Sequence, residues 1–328
     1  MGLRVSMADI FVSTVPFGNI DPLPIRLMER AGLSYQINPL NRKLKSGEIR
    51  QFLRDVKVIV AGTEEISPAD LAEAKNLRLI ARVGIGLDNV PLAAARDFGV
   101  AVSYTPDAPS PAVAELTIGL ILDLARGITV ADKGVRHSQW SRYMGKRVHE
   151  LTVGVIGIGR IGFRVIRLLQ SFRCRILAND LIPDPRFGPD MGVEWVDKER
   201  IYREADIVSV HVPLTSKTRG LIGEKELAMM KRDAAVINTA RGGIVDENAL
   251  CEALKAGIIR AAALDVFERE PYNGPLAGLD NVILTQHMGS CTVDCRLRME
   301  REATEEAIRF LKGQALSSPV PQEYYQEL

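Results

Sequence analysis

The stretch Leu151-Thr152-Val153-Gly154-Val155-Ile156-Gly157-Ile158-Gly159-Arg160-Ile161-Gly162 decides how the chain is read. An apolar run, Leu151 to Ile156, enters three glycines spaced G-x-G-x-x-G, and a helical pattern, Phe163 to Phe172, follows. Strand, glycine turn and helix in that order are the context in which this spacing signifies a dinucleotide-binding turn. Gly157 permits the tight turn, Gly159 lets the backbone approach a pyrophosphate, and Gly162 lets the helix pack closely on the strand. The free N–H groups and positive dipole end of that helix would then face the phosphates.

The next strand pattern, Arg175–Asn179, ends at Asp180, which stands 23 positions after Gly157. That is close to the roughly 20 expected of a ribose-binding carboxylate. A carboxylate there accepts a hydrogen bond from the 2′-hydroxyl and repels a 2′-phosphate, which favours NAD over NADP. Alone, Asp180 reads equally as a helix cap or a loop residue; strand, glycines and spacing together carry the assignment.

On both sides of the fingerprint, β-rich runs alternate with helical patterns. Upstream, strands are expected at Ile10–Ser13, Leu33–Ile37, Val56–Val60, Leu77–Arg82 and Val100–Ser103, with helices at Pro22–Arg30, Ser46–Leu53, Ser67–Lys75 and Pro91–Phe98. A turn-rich stretch, Thr105 to Pro111, leads into a long apolar helix, Ala112–Arg126. Downstream, strands are expected at Ile207–Val210, Ala234–Thr239, Ala261–Val266 and Val282–Thr285, with helices at Glu224–Met230 and Glu247–Ala256. Asp246 is a good N-cap, and Gly257 sits where a C′ glycine belongs. This alternation argues for α/β architecture, parallel sheets with helices on both faces. About 150 residues precede the fingerprint, room for another domain. The last helical pattern, Thr292–Gly313, comes after the nucleotide-binding strands and is expected to cross back to the first domain. The tail from Ser317 reads as weakly ordered.

A length of 328 residues suggests two domains. The chain is 46% hydrophobic and 25% charged, ordinary for a soluble globular protein. A net charge of +1 offers no global field for nucleic acid or membrane. No apolar stretch approaches the roughly 20 residues of a membrane-spanning helix. Met1 to Asp9 lacks the apolar core of a signal peptide, and Met7 is a candidate start. Cys174, Cys251, Cys291 and Cys295 form no C-x-x-C pair and read as reduced thiols of a cytoplasmic protein. Cys291 and Cys295 lie one helical turn apart, for which packing is preferred over a metal site, and no metal is expected.

A dinucleotide site alone specifies no reaction. In open α/β sheets ligands meet the carboxyl ends of the strands. Three late strands end in reactive groups: Arg241 after Ala234–Thr239, Glu270 after Ala261–Val266, and His287 after Val282–Thr285. Reducing a 2-oxo acid needs a cation for the carboxylate, and arginine offers a bidentate fork. The carbonyl oxygen gains charge as hydride arrives, so it needs a proton donor, for which histidine suits neutral pH. A carboxylate beside the histidine orients the ring and favours its protonated form. Each residue has a plainer reading: an exposed loop arginine, a surface acid, a buried histidine satisfied by backbone. Their common placement at strand ends is what favours chemistry.

The segments Gly84–Asn89, Gly154–Gly162, Asn238–Asp246, Ala263–Pro271 and His287–Ser290, in that order along nearly the whole chain, resemble the D-isomer-specific 2-hydroxyacid dehydrogenases. The closest likeness is to the phosphoglycerate dehydrogenase-like branch, in its short form without a regulatory domain. The resemblance implies a Rossmann NAD-binding domain, residues 104–289, inserted into a split flavodoxin-like substrate domain, residues 1–103 and 290–328. It also implies a homodimer built on residues 112–150. By the same resemblance His287 is the acid/base, Glu270 its partner and Arg241 the substrate anchor, with the backbone of Val83 and Gly84 holding the substrate carboxylate. Cofactor contacts beyond Gly157, Gly159, Gly162 and Asp180 are implied for Arg160, Ile161, His211, Val212, Pro213, Thr218, Thr239, Ala240, Asp265 and Gly289. Closure of the two domains would align hydride donor and acceptor.

Two departures bear on the substrate. Gln286 stands where the family usually has proline before the histidine. Arg82 matches an arginine that some phosphoglycerate enzymes place near a substrate phosphate, and it reads equally as a structural ion-pair residue. A second arginine expected after Val56–Val60 is absent, the position being Ala61, followed by Gly62 and Thr63. The expected activity is interconversion of a 2-oxo acid and a D-2-hydroxy acid, with 3-phosphoglycerate, hydroxypyruvate or glyoxylate as candidates. The rivals are a phosphite- or formate-type dehydrogenase and an NAD(H)-sensing, corepressor-like binding protein.

Overall fold

When each short strand is followed by a helix, the chain returns to the same edge before the next strand begins, and the strands pair in parallel. The structure, a computed structural model, describes residues 8–188 and 191–327. The reading of Met7 as a start falls outside the described residues. The chain divides into two compact units, one running to Pro109 and resuming at Cys291, the other Ser110–Ser290.

The first unit contains β1 (Ile10–Val12), α1 (Leu23–Arg30), β2 (Tyr35–Ile37), α2 (Arg50–Leu53), β3 (Val58–Ala61), α3 (Pro68–Glu73), β4 (Leu79–Arg82), α4 (Leu92–Asp97) and β5 (Ala101–Ser103). Its parallel sheet has the order β2-β1-β3-β4-β5. Phe11, Ile59, Ile80 and Val102 are in register across four strands and share one buried face. Phe11 stacks on Phe52 of α2, with ring centroids 4.6 Å apart. The late helix packs here as expected: with α5 to α10 assigned below to the second unit, it is α11 (Val293–Leu311), and it lies against α1, β3 and β4.

The tail corrects an expectation. Ser317 and Ser318 donate their N–H groups to the buried Glu306 carboxylate, Val320 N–H donates to Val102 O at 2.9 Å, and Val320 enters the core. Prolines and polar residues made this segment look loose. What orders it is the edge of β5, whose unpaired backbone groups the tail satisfies by running antiparallel at Ser103 and Pro319.

The second unit contains α5 (Ser110–Arg126), α6 (Ile128–Arg136), β6 (Thr152–Ile156), α7 (Arg160–Leu169), β7 (Arg175–Asn179), β8 (Val193–Trp195), α8 (Lys198–Glu204), β9 (Ile207–Val210), α9 (Glu224–Met229), β10 (Ala235–Asn238), α10 (Glu247–Lys255), β11 (Ala261–Leu264) and β12 (Val282–Leu284). All seven strands are parallel, in the order β12-β11-β10-β9-β6-β7-β8. The order reverses between β6 and β9, the switch point where ligands of such sheets bind. Three elements had no signal in the sequence. β8 is three residues long and α8 buries only Ile201 and Tyr202, too little to show a period, while α6 keeps its apolar residues Ile128, Val130 and Val135 exposed.

At the β7–α8 corner, Arg175 and Arg200 each meet both Glu194 and Glu204 at 2.7–2.9 Å, closing a four-membered ring of alternating charge. The arginines' hydrogen bonds lower the pKa of both glutamates. A depressed carboxylate contributes stability above its unfolded pKa and loses it as pH falls through the folded value. All four side chains are more than one-third exposed, so solvent and salt screen each pair and the contribution is small. Glu194→Gln should lower the melting temperature by about 2 °C at neutral pH. The difference from wild type should begin to shrink as pH falls below the ordinary glutamate range near about 4.3 and vanish only below the lower folded value, and it should shrink in about 1 M salt. Differential scanning fluorimetry reads both trends.

Candidate active site

The fingerprint folds as its glycines require. Gly157 adopts φ +92°, and a Cβ there would lie 2.8 Å from the His211 carbonyl. A Cβ on Gly162 would lie 2.0 Å from Gly157 O, so only glycine lets α7 sit this close to β6. Space in front of Gly159 is open, and Gly159 begins α7 with no side-chain cap. The helix therefore starts at Arg160, earlier than the pattern from Phe163 indicated, and no side chain at Gly159 caps the helix end, the kind of terminus that suits an anion. Asp180 accepts from Ile158 N–H at 2.5 Å, which brings its carboxylate beside the glycine turn.

Across the switch point, His211 follows β9 and donates its backbone N–H to Ile156 O at 2.7 Å. Its Nε2 shares a 2.9 Å hydrogen bond with Ser209 Oγ, while Nδ1 is buried with no partner among the described residues. Burial pushes the imidazole pKa down to about 3, so the ring is neutral. An orphaned polar atom, an uncapped helix start, open space at Gly159 and a carboxylate at Asp180 fit a dinucleotide lying across the switch point. Val212 and Pro213 follow His211 directly. Thr218 uses its hydroxyl to close its own turn on Pro213 O, at 2.6 Å. Thr239 shares a buried 3.0 Å bond with Thr117 of α5, a partner that the sequence did not single out.

The loops after β10, β11 and β12 are locked together. A Cβ on Gly242, next to Arg241, would lie 2.0 Å from the Phe267 carbonyl carbon, so the first loop is pressed on the second. The Arg241 backbone is fixed by Asn238, whose Nδ2 donates to Arg241 O at 2.8 Å. The second loop reaches the third twice. Glu270 offers both carboxylate oxygens to His287 Nδ1, at 3.0 and 2.8 Å, and Oε1 also accepts from Phe267 N–H. Asp265, buried at the end of β11, accepts from Thr285 Oγ1 at 2.6 Å and from the N–H groups of Met288 and Gly289, each at 2.8 Å. His287 itself has φ +50°, a left-handed conformation uncommon for a side-chain-bearing residue. Asp265 was expected as a cofactor contact. In the structure its two oxygens brace the turn that carries His287.

In the first unit the two amides expected to hold a carboxylate have acceptors of their own. Val83 N–H already donates to Ala61 O at 2.8 Å and Gly84 N–H to Thr105 Oγ1 at 2.8 Å. The next two amides, those of Ile85 and Gly86, are half-buried and have no acceptor among the described residues. Arg82 is 5% exposed and turned inward, with Nε on Asn89 Oδ1 and Nη1 on the Val83 carbonyl. Ala61 is fully buried in β3 and supplies no cation after that strand.

Among the described residues no three His, Cys, Asp or Glu side chains gather as a metal site, and no helix is long and apolar enough to cross a membrane. All four cysteines are free thiols.

Residues 118–289 match the family model described as D-isomer specific 2-hydroxyacid dehydrogenase, NAD binding domain. Over 308 residues the chain is 39% identical to the D-3-phosphoglycerate dehydrogenase of Methanocaldococcus jannaschii, which covers 92% of this chain and 58% of that protein. Over 298 residues it is 37% identical to the hydroxypyruvate reductase of Thermotoga maritima, covering 89% of this chain and 96% of that one. Among solved structures, the D-lactate dehydrogenase of Aquifex aeolicus, complexed with NAD and lactic acid, is similar with a TM-score of 0.84 at 27% identity, covering 95% of this chain and 98% of that one. The chain thus spans little more than half the length of the phosphoglycerate dehydrogenase it matches, and nearly all of the other two.

Proposed function

The chain belongs to the D-isomer specific 2-hydroxyacid dehydrogenase family, and we propose that it is an NAD-dependent oxidoreductase interconverting a 2-oxo acid and the D-2-hydroxy acid. The observation that carries this reading is the Glu270–His287 pair, braced by Asp265, at the carboxyl ends of β11 and β12. When bound, the reduced nicotinamide supplies a hydride to C2 of the oxo acid. His287 delivers a proton to the carbonyl oxygen as negative charge builds there. Glu270 fixes the ring through Nδ1, which leaves proton transfer to Nε2. Arg241 anchors the substrate carboxylate through its guanidinium fork. Within the first unit, Ile85 and Gly86 take over from Val83 and Gly84 as the amides able to meet a carboxylate.

The substrate class is small and unphosphorylated, glyoxylate or hydroxypyruvate. No arginine follows β3, and the one at the end of β4 is buried under its own loop. A second copy of the chain covers the apolar side chains exposed from Ile128 to Met144, among them Val135 and Trp140, giving a homodimer.

Steady-state oxidation of NADH against glyoxylate, hydroxypyruvate, pyruvate, 2-oxoglutarate and 3-phosphohydroxypyruvate tests the reading. Turnover of the first two supports it. Silence across the panel with tight NADH binding overturns it in favour of a nucleotide sensor. Cofactor choice is a separate prediction. NADH should be preferred over NADPH by about a hundredfold in kcat/KM, since a 2′-phosphate would meet the Asp180 carboxylate. Asp180→Ser should bring the ratio to within about tenfold; an unchanged ratio would remove Asp180 from the ribose site.

A further inference from the structure

We infer that Arg82 is a positioning residue that shapes the Val83–Gly86 turn as a carboxylate cradle, and that it serves every 2-oxo acid alike instead of reading a phosphate. The inference rests on the functional reading above and deepens it. Arg82 ends β4 and folds back beneath the turn that follows. One guanidinium nitrogen, Nη1, donates to the carbonyl of Val83, where the turn begins. Nε donates at 3.2 Å to Asn89 Oδ1, where the turn ends. Asn89 passes the connection on, its Nδ2 donating to the carbonyls of Gly62 at 3.1 Å and Glu64 at 2.7 Å in the loop after β3. The side chain thus spans the turn from inside and ties it to the neighbouring strand.

Gly84 shows how tight the fit is. Its φ is +134°, and a Cβ there would lie 2.8 Å from Nη1 and 3.3 Å from Cζ of Arg82. The guanidinium therefore occupies the space that a side chain at 84 would need. With the Val83 carbonyl held inward by Arg82, and the amides of Val83 and Gly84 held by Ala61 and Thr105, the N–H donors of the turn left without an acceptor among the described residues are those of Ile85 and Gly86. Arginine is suited to this work because its planar fork donates in two directions from a rigid frame and stays charged at any working pH. A guanidinium that is buried and bonded to its own loop carbonyl and to Asn89 acts on the loop.

The carboxylate is common to all substrates of this class, so loss of the cradle must act on all of them. The test is Arg82→Met and Arg82→Lys, assayed with NADH against glyoxylate, hydroxypyruvate and 3-phosphohydroxypyruvate. Arg82→Met should raise KM about tenfold or more for each acid that the wild type reduces. The factors should agree within about threefold between acids, kcat should fall less than KM rises, and NADH affinity measured by fluorescence should not change. Arg82→Lys should recover part of the loss. A KM increase confined to the phosphorylated acid would overturn the inference, as would no increase. Asn89→Ala removes the far end of the bridge and should act in the same substrate-independent way if Arg82→Met does not fold. Oxalate titration by calorimetry reads the cradle without turnover. Arg82-dependent oxalate binding in an enzyme that reduces no 2-oxo acid would sink the proposed reaction and keep the cradle. Oxalate binding indifferent to Arg82 would sink the cradle.

Discussion

His287→Ala should lower kcat by about a thousandfold or more and leave NADH binding intact. The magnitude follows from the proton: a positioned general acid contributes between about a hundredfold and ten-thousandfold. The independence of NADH binding follows from location. His287 sits on the loop after β12, at the edge of the sheet, whereas the fingerprint and His211 flank the central β6/β9 switch point. The left-handed backbone at His287 adds a control, because asparagine tolerates that conformation better than alanine. His287→Asn and His287→Ala should be equally inactive but differ in melting temperature, with the asparagine variant the more stable. Single-turnover NADH oxidation and fluorescence titration of NADH separate chemistry from binding. Turnover of either variant within about tenfold of wild type would remove His287 from the chemistry.

Asp265→Ala should be nearly as damaging, and for a different reason. The buried wild-type carboxylate takes a half-buried hydroxyl, the backbone N–H of Met288 and the buried N–H of Gly289. Deleting it strands those donors, each at a cost of about 1–3 kcal/mol, so a loss of about 3 kcal/mol in stability is a conservative expectation. The freed turn would let His287 drift, and a displacement of about 1 Å in a catalytic group can cost about a hundredfold in rate. The expected result is a drop in kcat of about that size together with a clearly lower unfolding midpoint in urea. If Asp265 acted only on the cofactor, KM for NADH would rise and stability would stay near wild type. That outcome would return Asp265 to the role first expected of it.

Much of the second unit was legible because its signals are local. The glycines at 157, 159 and 162 and the carboxylate at 180 announce themselves by spacing; a Cβ at 157 or 162 would collide with backbone, while at 159 the space is open. Glu270 and His287 were legible by topology: reactive residues just past parallel strands must share one edge of the sheet, and they do. What spacing does not encode is which polar atoms satisfy which. Asp265 as the brace of the His287 turn and Thr117 as the partner of Thr239 join residues that are distant in sequence. The same holds for the amides of Val83 and Gly84, the expected carboxylate donors. Only the sheet partner of Val83 and the hydroxyl of Thr105 show those two amides to be taken. The tail misled for a compositional reason, since the force that orders it is the unfilled edge of β5 and not any property of its own residues.

The Gly242 contact has an evolutionary consequence. A methyl group there would collide with the Phe267 peptide, Asp265 binds the turn at 285–289, and Glu270 binds His287. The three loops are therefore inherited as one block, in which a change to any member must be answered in the other two. Descendants of such a chain cannot acquire new substrates by drifting there. Their freedom lies outside the block, at exposed loop positions such as Thr63 in the first unit, so lineages of this family would diverge in diet chiefly there.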